Sequence, residues 1–143
     1  MNRAVPTLRG RCHCGKVEAA FATQRDPSTL HPRACDCSFC RKHGAAWISD
    51  AEGELLVTAN ADAELREYLQ GSGNAHFLLC GECGVLVAVV FREGNGLLGA
   101  MNAGCIDEGT PLGDTTPVSP QALAADERMA RWRKLWMSAR IQR

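Results

Sequence analysis

Cys80-Gly81-Glu82-Cys83-Gly84-Val85-Leu86-Val87-Ala88-Val89-Val90-Phe91 joins a tight cysteine pair to the longest apolar run of the chain. The unbroken apolar run from Val85 reads as a strand covered on both faces, and it is far shorter than the roughly 20 residues a membrane-crossing helix needs. Glu93-Gly94-Asn95-Gly96 is a hairpin turn, and residues 97–102 return as the antiparallel partner. Upstream, residues 75–79 enter the cysteine pair from the turn Gly71-Ser72-Gly73-Asn74, and residues 65–69 stay open between a strand and one helical turn. Residues 45–49 and 55–58 read as short strands about the turn Asp50-Ala51-Glu52-Gly53.

A second cysteine pair, Cys12-His13-Cys14-Gly15, stands near the start of the chain. After it, Val17, Ala19 and Phe21 alternate with Lys16, Glu18 and Ala20, the period of a half-buried strand. Asp26-Pro27-Ser28 and His31-Pro32 mark a loop. It delivers the chain to Cys35-Asp36-Cys37-Ser38-Phe39-Cys40, a segment that reads as irregular, with Asp36 and Ser38 shaping the turn by side-chain hydrogen bonds. Residues 107–120, rich in proline, glycine, acidic and hydroxyl residues, read as a loop or linker. The last segment reads as a helix capped by Ser119, with Pro120 in its first position and Asp126 and Glu127 in its early turns. Met129, Trp132, Trp136 and Ala139 fall on one helical stripe.

Seven of the eight cysteines lie in these clusters, a pattern better suited to metal ligation than to long-range disulfides. Residues 1–6 hold no apolar stretch, so no secretory signal is expected and a reducing, cytoplasmic setting follows. A structural zinc takes four sulfur or nitrogen ligands. Cys12, Cys14, Cys80 and Cys83 supply four, each pair followed by a glycine that can take the positive φ of a tight knuckle. Such a site would pin the N-terminal strand to the central hairpin. Cys35, Cys37 and Cys40 supply three, which leaves either an open coordination position, as at a catalytic zinc, or a shell closed by Cys105 or His43. Spacing alone favours neither.

Gly10-Arg11-Cys12-His13-Cys14-Gly15, Cys35-Asp36-Cys37-Ser38-Phe39-Cys40-Arg41 and Cys80-Gly81-Glu82-Cys83-Gly84 together resemble, in order and separation, the three signatures of the glutathione-dependent formaldehyde-activating enzymes, a family shared with centromere protein V. Tyr68-Leu69-Gln70-Gly71-Ser72-Gly73 and Met101-Asn102-Ala103-Gly104-Cys105-Ile106-Asp107 resemble the family's connecting stretches, so the likeness covers about residues 8–108. It implies a mainly β fold, a β-tent of antiparallel sheets, here with a C-terminal α-helix. It also implies a structural zinc on Cys12, Cys14, Cys80 and Cys83, and a second zinc on Cys35, Cys37 and Cys40 open to ligand. The implied activity is that of a carbon–sulfur lyase or thiol-adduct synthase, joining a small thiol such as glutathione to formaldehyde. Thiolate crowding around such a zinc would weaken its Lewis acidity, and Arg41, Lys42 or His43 could supply a compensating cation. Two positions depart from the family: Cys105 stands where a hydroxyl residue is common and reads as a packing thiol, and Leu79 stands where an aromatic is common.

The 143 residues suit one domain, read as a zinc-binding β body over 1–118 with a basic amphipathic helix over 119–143 packed on it. Sixteen basic residues balance sixteen acidic ones, which gives no case for a nucleic-acid or membrane partner. Residues 119–143 nevertheless hold six basic and two acidic side chains, a surplus of four. The favoured reading docks the apolar stripe on the body and leaves the basic face to solvent or to the acidic remainder. The alternatives are a homodimer contact through the stripe, or a non-catalytic zinc-stabilised module that binds through this tail. His13 and His43 read as surface residues and His76 as structural.

Overall fold

The computed structural model describes residues 7–143; residues 1–6, read above for the lack of a leader, lie outside them. In chain order the strands are β1 (Thr7–Arg11), β2 (Val17–Ala22), β3 (Arg33–Cys35), β4 (Trp47–Ile48), β5 (Glu54–Ala59), β6 (Leu65–Leu69), β7 (His76–Cys80), β8 (Leu86–Glu93), β9 (Gly96–Asn102), β10 (Thr116–Val118) and β11 (Met137–Gln142). Two helices join them, α1 (Ser38–His43) and α2 (Ala125–Leu135). The fold is mainly β with a C-terminal helix, as expected.

β9 is the ridge of the architecture. One edge pairs along β8, and the other is divided, Leu97–Gly99 pairing with β11 and Met101–Asn102 with β4. From this ridge one wing runs β9-β11-β5-β2-β1 and another runs β9-β8-β7-β6, while β4, β3 and β10 continue the sheet on the third side. Most pairs are antiparallel, but β11 with β5 and β10 with β3 are parallel. At Gly99 an added Cβ would lie 2.8 Å from the Val89 carbonyl and 3.3 Å from the Ala139 Cβ, so only glycine lets β8 and β11 close on the ridge together.

The apolar run of β8 faces two cores. Val87, Ala88 and Val90 belong to one, with Phe21, Leu55, Val57, Met101 and Met137. Leu86, Val89 and Phe91 belong to the other, with Trp47, Phe77, Trp132 and Trp136. This double burial is why the run lacks a polar alternation. Residues 65–69, ambiguous from sequence, form β6 because their neighbour β7 offers an open edge.

Three expectations are corrected. Residues 35–40 are not irregular: Cys35 ends β3, and α1 begins at Ser38 because the Cys37 thiol accepts the Cys40 N–H as an N-cap. Residues 107–120 are not only loop, since β10 lies within them against β3. The largest correction concerns the C-terminal segment. Ser119 and Pro120 open a separate 3₁₀ turn (Pro120–Ala122), the Ser119 hydroxyl bonds Asp36 instead of capping, and the helix starts at Ala125, where the Glu127 carboxylate accepts the Ala124 N–H at 3.1 Å. The helix then stops at Leu135. Trp136 takes an extended backbone, and Met137, Ala139 and Ile141 alternate inward with Ser138, Arg140 and Gln142 outward. Ala139 therefore belongs to a strand, not to the helical stripe. The tail does not simply pack on the body, because β11 is inserted between β5 and β9.

Met137 is fully buried in this strand and Gln142 is exposed at its end. Met137→Ala is expected to cost about 2–5 kcal/mol in urea unfolding, and Gln142→Ala about 0.5 kcal/mol or less.

Candidate metal centre and cavity

The two knuckles of the first cluster are built alike. In the β1–β2 turn the Cys12 N–H donates to the Val17 carbonyl at 2.9 Å, and in the β7–β8 turn the Cys80 N–H donates to the Val85 carbonyl at 3.0 Å. Gly15 and Gly84 then take φ values of 83° and 79°, a region disfavoured for a residue with a Cβ. These turns aim backbone N–H groups at sulfur: Val17 to Cys12 at 3.3 Å, and Glu82 to Cys80 at 3.3 Å. The Sγ atoms of Cys12, Cys14, Cys80 and Cys83 all lie within 4.8 Å of one another, with Cys14 3.6 Å from both Cys12 and Cys80. A salt bridge from Lys16 to Glu82, 3.8 Å long, also links the two turns.

Cys35, Cys37 and Cys40 form a second cluster with the same mutual limit of 4.8 Å. The end of β3 places Cys35, the cap of α1 places Cys37, and the first turn of α1 buries Cys40. The Gln70 amide donates to the Cys37 sulfur at 3.5 Å. Asp36 is turned away, its carboxylate accepting from the Ser119 hydroxyl at 2.6 Å and the Gln121 amide at 3.0 Å. None of the eight cysteines forms a disulfide.

Neither candidate for closing the second cluster reaches it. Cys105 is buried, donates to the Leu86 carbonyl at 3.3 Å and packs in the first core; burial, with the nearby Cys12 and Cys83, pushes its thiol up to about 11. It is a packing thiol, as read. His43 is exposed and lays its ring against Phe39, centroids 4.5 Å apart. Arg41 and Lys42 are exposed on α1, and His13 is exposed on the first knuckle. His76 pairs with Glu67 across β6 and β7 at 3.0 Å.

Crowded sulfur atoms hold their protons unevenly. The hydrogen bond from Cys40, helped by Cys37, lowers Cys35 to about 6 in spite of burial, while the same contact with Cys35, and then burial, pushes Cys40 up. In the first cluster desolvation opposes ionisation of Cys83, yet hydrogen bonds from the Cys14 and Val85 backbone and from Cys12 and Cys80 bring it down to about 6. Cys14 gains from a Lys16 backbone hydrogen bond but is lifted to about 11 by desolvation and by its sulfur neighbours. Each cluster thus retains protons that a bound cation would displace. All-sulfur donors at these spacings suit a metal ion in both clusters.

The three-cysteine cluster opens on a cavity of about 230 Å³. Trp47, Phe77 and Val89 form apolar walls, residues 70–72 form a rim, and α2 lies across one side with Arg128, Arg131, Trp132 and Leu135. Trp132 and Trp136 stack at 4.7 Å and 13°, with Phe91 5.2 Å from Trp132, so the apolar stripe does dock on the body. Of the basic residues expected at the surface, Arg133 pairs with Glu93, and Arg143 with Glu67 at 3.0 Å. Arg128 and Arg131 instead line the cavity, together with Arg33 of β3. Burial, with Arg131 adding to it, pulls Arg33 down to about 10. The sequence offers Arg41, Lys42 or His43 as a cation near the cluster; these are exposed on α1, and the arginines that line the cavity, Arg33, Arg128 and Arg131, are not among them. The available signal was the spacing of Arg128, Arg131, Trp132 and Leu135 at i, i+3, i+4 and i+7, one face of α2.

The sequence pattern of the family described as glutathione-dependent formaldehyde-activating enzyme matches residues 7–123, most of the chain and all seven clustered cysteines. The chain belongs to this family. Among solved structures, the crystal structure of a Rhodobacter sphaeroides protein, a structural-genomics target, is similar at 28% identity with a TM-score of 0.58; the match covers 77% of this chain and 99% of that one. No curated protein matches at a significant level. In this member of the glutathione-dependent formaldehyde-activating enzyme family, α2 and β11 lie beyond the matched segment, and α2 supplies one wall of the cavity. Among the described residues no helix is long and apolar enough to cross a membrane.

The two clusters should behave differently when broken. Cys37→Ser is expected to keep a cooperative thermal transition and to lose one metal ion per chain by elemental analysis. Cys83→Ser is expected to lose the transition itself, since a structural site is worth roughly 10–16 kcal/mol against a domain stability of about 5–15 kcal/mol.

Proposed function

We propose that the protein is a zinc-dependent enzyme that makes or breaks the bond between the sulfur of a small thiol and the carbon of an aldehyde, with glutathione and formaldehyde the pair its family's name points to. The observation that carries this reading is the position of Cys35, Cys37 and Cys40. They form a three-sulfur cluster with no fourth His, Cys, Asp or Glu among the described residues, and they line a cavity with aromatic walls.

Zinc is the metal that best suits both clusters. A tetrahedral zinc–thiolate centre with bonds of about 2.3 Å spaces its sulfurs about 3.8 Å apart, close to the 3.6 Å separations around Cys14. Cys12, Cys14, Cys80 and Cys83 would hold a closed structural ion, and Cys35, Cys37 and Cys40 an ion with one position left for ligand. A zinc ion in the second site would supply the positive charge that lets an entering thiol ionise near neutral pH.

The chain's own groups do the rest. Trp47, Phe77 and Trp132 enclose the reacting atoms and limit the water that would compete with a thiol. The Gln70 amide donates to Cys37 and holds that sulfur toward the cavity. In the synthetic direction the S–H bond breaks, an S–C bond forms at the aldehyde carbon, and the thiol proton passes to the carbonyl oxygen to give a hydroxymethyl thioether. The lyase direction is the reverse. The alternative of a non-catalytic module working through its basic tail has less support, because Trp132 and Trp136 are buried and Arg133 and Arg143 are paired with carboxylates.

Exchange spectroscopy on labelled formaldehyde with glutathione tests the activity. Zinc-loaded protein is expected to speed adduct exchange at least about tenfold, equivalent to about 1.4 kcal/mol of barrier, and Cys37→Ser to abolish the effect while keeping one zinc. Protein with two zinc ions per chain that leaves the exchange rate of glutathione and of smaller thiols unchanged would sink this reading.

A further inference from the structure

We infer that Arg33, Arg128 and Arg131 form a carboxylate subsite beside the three-cysteine cluster, so that the cavity selects thiols bearing a negative charge over neutral ones. The inference rests on the thiol reading above and assigns the part of the ligand remote from sulfur.

Three guanidinium groups line one cavity, and no Asp or Glu lines it with them. The ion pairs among the described residues engage Arg11, Lys16, His76, Arg133 and Arg143, and none engages these three. The Arg131 guanidinium makes no hydrogen bond or ion pair with any described residue. The Nε of Arg128 is buried without a partner, although its Nη2 donates to the Leu123 carbonyl at 3.2 Å. A buried N–H left unpaired is costly, so this donor calls for an acceptor. Arg33 is positioned but not neutralised: it donates to the Ser49 hydroxyl at 2.8 Å, and that hydroxyl donates to the Leu135 carbonyl next to the cavity. Like charges gathered around one cavity with no carboxylate in its lining call for an anion from outside.

The cysteine cluster does not use up this charge. A divalent cation with three protein thiolates and one ligand thiolate carries a formal charge of about −2. Three arginines exceed that by one, which a single ligand carboxylate would balance. The guanidinium fork suits a carboxylate in two-point hydrogen bonding. Arg128 and Arg131 stand on α2, beyond the family-matched segment 7–123, and Arg33 stands on β3 within it, so two separate parts of the chain build the subsite.

The tryptophans provide the readout, since Trp47, Trp132 and Trp136 all line the cavity and are the only three in the chain. Metal-loaded protein is titrated by intrinsic fluorescence with 3-mercaptopropionate, with its neutral analogue 3-mercaptopropanol, and with propionate. The charged thiol is expected to bind roughly tenfold or more tightly than the neutral one, the scale of a charge-assisted hydrogen-bonded pair. That preference is expected to weaken with added salt and to fall to about twofold or less in Arg131→Met with its metal content unchanged. Equal binding of the two thiols by the unaltered protein overturns the inference. So does a loss in Arg131→Met that is the same for both thiols, which would mean that the arginines serve only the cysteine cluster. If propionate binds as well as 3-mercaptopropionate, the arginine subsite stands and the thiol reading falls. If both thiols bind alike and propionate not at all, the thiol reading stands and the subsite falls. No fluorescence response to any of the three overturns the inference as well.

Discussion

Four sulfur atoms brought together from two turns 66 residues apart in sequence set the frame for the rest of this protein. Each turn is a short knuckle whose backbone N–H groups point at sulfur, and each ends in a glycine with positive φ. The convergence ties the start of β2 to the start of β8, the strand that separates the two cores. Without a cation the same four atoms are a liability, because their protons cannot all leave and four crowded thiols cannot all be satisfied by one another. The fold therefore couples a local electrostatic problem to its global connectivity.

The second constraint is the sharing of β9 among three neighbours. Its edge toward β11 and β4 is split at Ala100, the buried residue between the two pairings. Inserting β11 there brings the end of the chain into the middle of the sheet, which in turn anchors α2 across the cavity mouth. Trp132 and Trp136 secure the helix by stacking on each other beside Phe91. The position of α2 decides what surrounds the three-cysteine cluster. A helix with the same sequence but detached from β11 would leave Arg128 and Arg131 in solvent.

The two cysteine clusters share a donor chemistry and differ in setting. The first gathers four sulfurs, two of them buried in a core. The second gathers three, and they line a cavity. Cys35 and Cys40 illustrate the consequence: one thiol is pulled down and its neighbour pushed up by the same contact. The cavity above them combines aromatic side chains, Trp47, Phe77 and Trp132, with the cationic Arg33, Arg128 and Arg131.

Much of this could be read along the chain because the deciding features are local. A cysteine two or three residues from another, followed by glycine, is a knuckle whatever surrounds it, and a continuous apolar run bounded by turns is a doubly covered strand. That basis groups Cys12, Cys14, Cys80 and Cys83, and separately Cys35, Cys37 and Cys40, and the fold brings the sulfurs of each group within 4.8 Å of one another. The change from helix to strand at Trp136 was also written locally, in the alternation of Met137, Ala139 and Ile141, but Ala139 happens to satisfy a helical period as well, and only the open edge between β5 and β9 makes the strand the better state. Which cations face the cluster was not local at all. Arg41 is adjacent to Cys40 in sequence and points to solvent, whereas Arg131 is nearly a hundred positions from Cys35 and lines the same cavity. Sequence by itself determined which cysteines gather, since a knuckle depends on residue type and short spacing; tertiary structure decided what surrounds them, since long-range electrostatics depend on where distant segments come to rest.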